Sequence, residues 1–200
     1  MESIPLAAPS RARSLLIAGA LLLAVTGAPA QTAEWLDKPL VPWNEPGAPV
    51  PRAPAPKGDR PTDPRCRNVV RRPGTAAERA VAGAGWSLYG KTRTDGATTI
   101  LFGQASVDGM CRPWDFQAFL FVKDKFAGTL APRPMDSRTD GALSDIRQLT
   151  ATAAEVVFLR YVGADPLCCP SRLTIVRYRI ESRPQGPVVV PVSARSTATG

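Results

Sequence analysis

The 200-residue chain contains no histidine. This absence excludes Ser-His-Asp and Cys-His nucleophile systems, zinc sites of the HExxH type and acid–base chemistry that depends on an imidazole. Enzymes such as glycosidases work with carboxylates alone, so a carboxylate-dependent hydrolase stays open as an alternative. We nevertheless expect a protein without catalytic residues. No residue pattern predicts a bound metal or a cofactor.

The chain also lacks an apolar run long enough to cross a membrane. Residues 14–25 are mostly apolar and follow Arg11, and an A-x-A sequence ends at Ala30 just before Gln31. A spanning helix needs about 20 apolar residues, so the shorter run favours a secretory signal peptide over residues 1–30, and a membrane anchor is the alternative. We expect an exported protein, periplasmic or extracellular after cleavage near Ala30, without a transmembrane segment in its mature form. A bacterial lipoprotein would carry cysteine where this chain has Gln31.

Positive charge is in excess but is not concentrated. The chain carries 25 Lys and Arg against 17 Asp and Glu, a net charge of +8. The densest basic pair is Arg71 and Arg72, and no run of five basic residues occurs. Nucleic-acid binding is typical of clustered basic residues, so we expect no specific nucleic-acid partner. The expected partner is a polar or anionic ligand or protein of the cell envelope.

Proline and tryptophan divide the chain into regions. Nine prolines between residues 31 and 65 predict an extended, proline-rich arm. Trp35 and Trp43 lie within this arm, and we expect them to clamp it onto the domain; the alternative is a contact surface for a partner. Residues 66–181 form the predicted globular domain. Residues 182–200 form a proline-containing tail that is expected to be partly disordered, chiefly from Ser193 onward.

One helix and a series of strands are predicted within the domain. Thr75 and Glu78 form a capping-box pattern, which predicts a helix from Ala76 to about Ala84. Apolar and polar residues alternate in several later segments, as in strands with one solvated face. These segments are 86–91, 98–102, 116–122, 126–130, 155–161 and 173–180, with 188–190 as a candidate edge strand. The predicted fold class is α+β: one short N-terminal helix packed on an antiparallel sheet of about five to six strands, stapled by disulfides.

The chain has four cysteines, Cys66, Cys111, Cys168 and Cys169. An even number of cysteines in an exported protein predicts disulfides. Adjacent residues in an extended chain point to opposite sides, so our first prediction pairs Cys168 and Cys169 with two different partners, Cys66 and Cys111. The second alternative is a vicinal bridge together with a Cys66–Cys111 bridge, because a vicinal bridge needs strained geometry. A redox-active pair comes last.

Several motifs occur in an order that resembles the LppP/LprE family of bacterial envelope proteins. They are Asp108-Gly-Met-Cys-Arg-Pro113, Phe119-Leu-Phe-Val122, Phe126-Ala-Gly-Thr-Leu130, Met135-Asp-Ser-Arg-Thr-Asp-Gly141, Arg160-Tyr161 and Asp165-Pro-Leu-Cys-Cys-Pro-Ser171. The resemblance covers most of residues 66–181. It implies export and a small α+β domain, and it supplies no catalytic residues.

The most polar motif of the domain lies in the loop at residues 131–147. Asp136 and Asp140 resemble the start of a calcium loop, but Arg138 and Arg147 stand where ligands are needed, so calcium is not expected. In one interpretation the motif is structural: Arg138 pairs with a carboxylate and Asp136 accepts bonds from backbone N–H groups.

In the other interpretation the same loop forms one wall of a binding site for a polar ligand. The candidate ligand-binding residues are Asp136, Arg138, Asp140, Arg160, Tyr161 and Asp165. The leading hypothesis is an exported, non-catalytic binding or interaction module. The alternatives are a hydrolase of envelope polymers that uses its carboxylates and a purely structural envelope component.

Overall fold

The computed structural model describes residue 1 and residues 34–199 of the chain. Most of the predicted signal peptide lies outside the described residues. The described elements, in chain order, are α1 (Glu34–Asp37), a 3-10 turn (Arg67–Val69), α2 (Ala76–Gly83), β1 (Ser87–Asp95), β2 (Thr98–Val107), β3 (Pro113–Val122), β4 (Lys125–Thr129), β5 (Leu143–Leu149), β6 (Ala153–Arg160), β7 (Arg172–Arg183) and β8 (Gly186–Ala198). No helix in this part of the chain is long and apolar enough to cross a membrane.

The strands form two antiparallel sheets of four. The first has the order β1-β2-β3-β4 and the second the order β5-β6-β7-β8, so each is a meander of consecutive hairpins. The predicted fold, one helix on a single sheet of five to six strands, is therefore wrong, because the domain is mostly β and has a second sheet. Seven predicted segments, including the candidate edge strand, lie close to observed strands. Two errors remain: all strands were assigned to one sheet, and β5 was missed because most of its residues were assigned to the loop at 131–147.

The first sheet is buried on both faces. Ile100, Phe116 and Leu120 lie on its inner face and pack against residues of the second sheet such as Val156. Alternate residues of the same strands, such as Phe119, pack on the outer face against α2 and the proline-rich arm. This alternation follows from the two-residue period of a strand.

Helix α2 begins at the predicted capping box. The Thr75 side chain accepts a bond from the Glu78 N–H, and the Glu78 carboxylate accepts bonds from the N–H groups of Thr75 and Gly74. The Arg71 guanidinium also contacts Glu78. Burial would raise the pKa of Glu78, but the bonds from Gly74, Arg71 and Thr75 outweigh it and lower the pKa to about 2. The sequence therefore identified both the helix and its cap.

Strand β8 continues beyond the three valines that suggested an edge strand. It pairs with β7 along its whole length, from Gly186 opposite Arg183 to Ala198 opposite Arg172. The expectation of a disordered tail from Ser193 onward therefore differs from the structure, which places residues 193–198 in this strand. Pro191 lies next to the irregularity in the β7–β8 register. An edge strand tolerates proline because one row of its N–H groups needs no partner.

The proline-rich arm packs along the domain, as the two tryptophans predicted. The Trp35 ring lies 5.1 Å from that of Phe158 in an edge-on arrangement. Trp43 donates from Nε1 to the Thr129 carbonyl oxygen at 3.2 Å. Farther along the arm, the Pro51 carbonyl accepts a 2.7 Å bond from the indole N–H of Trp86. The two tryptophans therefore clamp the arm onto the domain.

Asn44, also in the arm, joins the two sheets where β4 and β8 meet. Its amide nitrogen donates to the carbonyls of Thr129 and Val189, each at 3.0 Å, and its oxygen accepts from the Thr129 N–H at 2.8 Å. One side chain thus bonds to the backbones of both strands and closes this seam between the sheets.

Candidate functional site

Asp136 lies in an ion-pair network with the arm. Lys57 contacts the carboxylate of Asp136 at 2.6 Å and that of Asp115 at 3.0 Å. Asp136 also accepts a 2.8 Å bond from the Asp115 N–H. Burial would lower the pKa of Lys57, but the two carboxylates outweigh it and raise the pKa. The network therefore ties the arm to the start of β3 and to the segment that precedes β5.

Asp140 and Arg160 belong to a second network. Arg160 is only 6% exposed, and it bonds through Nε to Asp140 at 2.9 Å and through Nη2 to Asp37 of the arm at 2.7 Å. Its Nη1 donates to Thr174 of β7 at 3.3 Å. Asp140 Oδ1 also accepts a 2.9 Å bond from the Tyr161 N–H. A buried guanidinium with partners in three directions holds the arm, the loop and the second sheet together.

Tyr161 and Asp165 organise the turn that carries the two adjacent cysteines. Asp165 accepts 2.9 Å bonds from the N–H groups of Val162 and Ser171, and the Tyr161 hydroxyl donates to Leu167 at 3.1 Å. The bonds from Ser171 and Val162 lower the pKa of Asp165. Both side chains therefore hold the turn in one shape.

The cysteine pairing differs from the first prediction. Cys66 is bonded to Cys111, with Cα atoms 5.3 Å apart, and Cys168 is paired with Cys169 in an exposed turn. The prediction of distinct partners for the adjacent cysteines is wrong, and the second alternative describes the structure. The segment at 165–171 is a turn rather than an extended chain, so the alternation of side chains that motivated the first choice does not apply.

Of the six predicted site residues, the structure brings together Asp140, Arg160 and Tyr161, while Asp136 and Asp165 belong to neighbouring networks. Arg138 is exposed and has a positive φ of 61°. Burial raises the pKa of Tyr161, and the charge of Arg138 partly offsets this rise. The carboxylates of the motif thus bond to Lys57 and Arg160. The expected pairing of Arg138 with a carboxylate does not occur among the described residues.

The outer face of the second sheet is exposed and basic. Arg147 of β5, Arg177 of β7 and Arg195 of β8 surround a cavity of about 370 Å³, and we call this surface the arginine face. Glu155, Ile175 and Ser193 complete its lining. The corresponding face of the first sheet is covered by α2 and the arm.

The charges on the arginine face are not balanced. Arg177 pairs with Glu155, whereas Arg147 and Arg195 form no ion pair within residues 34–199. Arginine suits phosphate and carboxylate groups because its planar donors match their geometry. In the sequence of β7, Arg177 and Arg179 alternate with apolar residues, and this pattern predicts a solvated face. Nothing local in the sequence places Arg147 and Arg195 beside Arg177, because these two residues are 48 positions apart and lie on different strands.

Among the described residues, no group of three or more acidic, cysteine or histidine side chains is arranged to hold a metal ion. The fold and its charged face define a small, mostly β domain with a disulfide and a basic surface. Residues 92–183 match a model of the LppP/LprE lipoprotein family. The match runs from within β1 to the end of β7 and includes the Asp136–Asp140 motif.

This match confirms the family resemblance and indicates an envelope-associated protein. Neither the curated proteins nor the solved structures gave a match.

Proposed function

We propose that the chain is an exported, non-catalytic protein of the cell envelope that binds an anionic partner on its arginine face. The observation that carries this proposal is the exposed cavity lined by Arg147, Arg177 and Arg195, in which two of the three guanidinium groups have no acidic partner in the described chain. Charged groups without internal partners are available to a ligand at no cost in broken ion pairs.

The internal bonding of the candidate carboxylates supports the non-catalytic part of the proposal. A general acid or base must reach its substrate directly or through one water molecule. Asp136 instead contacts Lys57, and Asp140 contacts Arg160. Using Asp136 in catalysis would break a contact with the arm, and using Asp140 would remove a partner of the buried Arg160.

The family match supports the location. An envelope-associated protein with a net charge of +8 meets anionic polymers and headgroups, and their phosphates and carboxylates are the groups that arginine recognises. The arginine face lies on the outer face of the second sheet, and its three arginines come from three different strands. A polymer or a second macromolecule can contact all three strands at once.

The test compares two charge-matched double variants with the soluble polyanion heparin as the probe. Arg147→Gln/Arg195→Gln removes two charges from the arginine face, and the control Arg60→Gln/Arg133→Gln removes two exposed arginine charges elsewhere. We expect the first variant to bind heparin about tenfold more weakly, and the control to bind within about twofold of the parent. Equal losses in both variants would show that net charge alone attracts the polyanion and would overturn the proposal.

A further inference from the structure

We propose that a cleft between β1 and β5 is a binding site for a compact amphipathic monoanion, such as a fused aromatic ring that bears one carboxylate. The cleft has a volume of about 260 Å³. Tyr89, Phe102, Leu143 and Ile146 supply its apolar lining, and Lys91, Arg93 and Asp145 supply its charges. We call it the seam cleft.

The seam cleft exists because the two seams between the sheets are closed differently. At the β4–β8 seam, the Asn44 side chain bonds to the backbones of both strands. At the β1–β5 seam, Arg93 Nη2 donates to the Ile146 carbonyl at 3.1 Å, and no other hydrogen bond joins these two strands among the described residues. Beside this single bond, Tyr89, Leu143 and Ile146 line the cleft.

Both strands depart from regular pairing at the cleft. The β1–β2 register shifts between Tyr89 and Arg93, and Gly90 within this irregularity has a positive φ of 63°. The β5–β6 register shifts twice, between Leu143 and Asp145 and again after Ile146. Bulges bend a strand and redirect its side chains, and they are frequent beside functional sites.

The inner wall of the cleft is aromatic and continuous with the core. The Tyr89 ring lies 5.8 Å from that of Phe102 and 6.1 Å from that of the buried Phe116. A cavity of about 150 Å³ with apolar walls accommodates benzene, whereas drug-sized ligands occupy about 300 Å³ or more. The cleft volume of about 260 Å³ lies between these values and suits a ligand with one or two fused rings.

The polar groups at the cleft favour a carboxylate on that ligand. The Tyr89 hydroxyl makes no hydrogen bond to another described group, and burial raises the pKa of Tyr89, so the hydroxyl is a donor at neutral pH. Arg93 uses only Nη2 in its bond to Ile146, and Lys91 makes no ion pair within residues 34–199. Three groups are thus able to donate to an acceptor in the cleft.

The net charge of the cleft limits the ligand to a single negative charge. Lys91 and Arg93 carry two positive charges, and Asp145 carries one negative charge whose Oδ1 accepts a 2.8 Å bond from the Ile146 N–H. A ligand with several phosphates would meet Asp145 unfavourably. We therefore expect polyanions to bind the arginine face and monoanions to bind the seam cleft. The two sites bind different ligands, so this inference does not depend on the proposed function.

The test uses 2-naphthoate as the probe and its neutral analogue 2-naphthamide as the matched control ligand, with backbone amide shifts measured by NMR. We expect 2-naphthoate to shift the amides of residues 89–93, 102 and 143–146, and to bind at least about fivefold more tightly than 2-naphthamide. Equal affinity for the two ligands, absence of binding at millimolar concentration, or shifts confined to other residues would each overturn the proposal.

Two conservative variants extend the test. Tyr89→Phe removes only a hydroxyl, and Lys91→Gln removes an exposed charge, so both leave the core intact. Each is expected to weaken 2-naphthoate binding about fivefold, while the controls Tyr161→Phe and Lys123→Gln leave it within about twofold. The Arg147→Gln/Arg195→Gln variant is expected to bind 2-naphthoate as the parent does. If neither cleft variant weakens binding, or if the control pair weakens it equally, the seam cleft is not the site.

Discussion

The amide carbon of Asn44 lies 2.3 Å from the position that a Cβ atom would take on Gly128. Gly128 also has a φ of 135°, a conformation that residues with a Cβ atom rarely adopt. The arm therefore reaches the β4–β8 seam only because position 128 has no side chain. The contact between Asn44 and Gly128 therefore links strand β4 to the closure of the two sheets.

The first prediction concerns this pair. Gly128→Ala should lower the free energy of unfolding by more than about 2 kcal/mol, because the new methyl group meets the Asn44 amide and the backbone is strained. The control Gly96→Ala also has a positive φ, of 54°, but no atom lies within 4 Å of its Cβ position, so a smaller loss is expected. Urea denaturation measures both.

Asn44→Ala separates the clash from the backbone strain. Alone, it should cost about 1–3 kcal/mol, because the backbone groups of Thr129 and Val189 lose their bonds. Combined with Gly128→Ala, it should cost less than the sum of the two single variants, because the clash is gone. Strict additivity would contradict the close approach of these residues.

The contacts of Asn44 illustrate what the sequence could predict. Helix α2 was predicted because its signal, the capping box of Thr75 and Glu78, lies within four residues. Most strands were predicted because alternation is also local. The division into two sheets was not, because it depends on contacts such as those of Asn44 with Thr129 and Val189, which are 85 and 145 residues away in sequence.

The candidate site shows the same limit. Its polar residues were recognised from their types, but their partners were not: Lys57 and Asp37 belong to the arm, far from Asp136 and Arg160 in sequence. The vicinal pairing of Cys168 with Cys169 was ranked second because the local turn around Asp165 was not anticipated. The residue types in the sequence identified the polar side chains of the site. Their hydrogen-bond and ion-pair partners became known only from the fold.

The second prediction concerns Arg160. Arg160→Met should lower the free energy of unfolding by about 2–3 kcal/mol, because Asp140 loses a buried partner and the arm loses the contact with Asp37. Arg172→Met is a matched control, since Arg172 pairs with Arg160 across the β6–β7 ladder but is exposed. It should change stability by less than about 0.5 kcal/mol. Equal effects would show that Arg160 is not a structural anchor.

The third prediction is a pH dependence that originates at Glu78. Its pKa falls from 4.5 to about 2 on folding, so its contribution is complete above pH 4.5 and is lost as the pH falls towards 2. The difference in unfolding free energy between the parent and Glu78→Gln should therefore shrink over this window by roughly 1–3 kcal/mol, allowing for solvent screening. Urea titrations between pH 2 and 6 measure it. A difference that does not change with pH would contradict the lowered pKa.

The fourth prediction separates the two cysteine pairs. The Cys66–Cys111 bridge closes a loop of 45 residues, so replacing both cysteines with serine should cost about 4 kcal/mol in the chain-entropy model. The bridge between the adjacent Cys168 and Cys169 closes no long loop. Replacing these two cysteines with serine should therefore cost much less. Peptide mapping without reduction should recover Cys66 linked to Cys111. A peptide that links Cys66 or Cys111 to Cys168 or Cys169 would contradict the pairing.

The central claim is that the arginine face binds an anionic partner, and its most direct test is to map bound heparin by amide NMR shifts at physiological salt. We expect the shifts to cluster in β5, β7 and β8 around Arg147, Arg177 and Arg195, and to be lost in Arg147→Gln/Arg195→Gln. Shifts centred on the first sheet or the arm, or the same shifts in that variant, would contradict the claim.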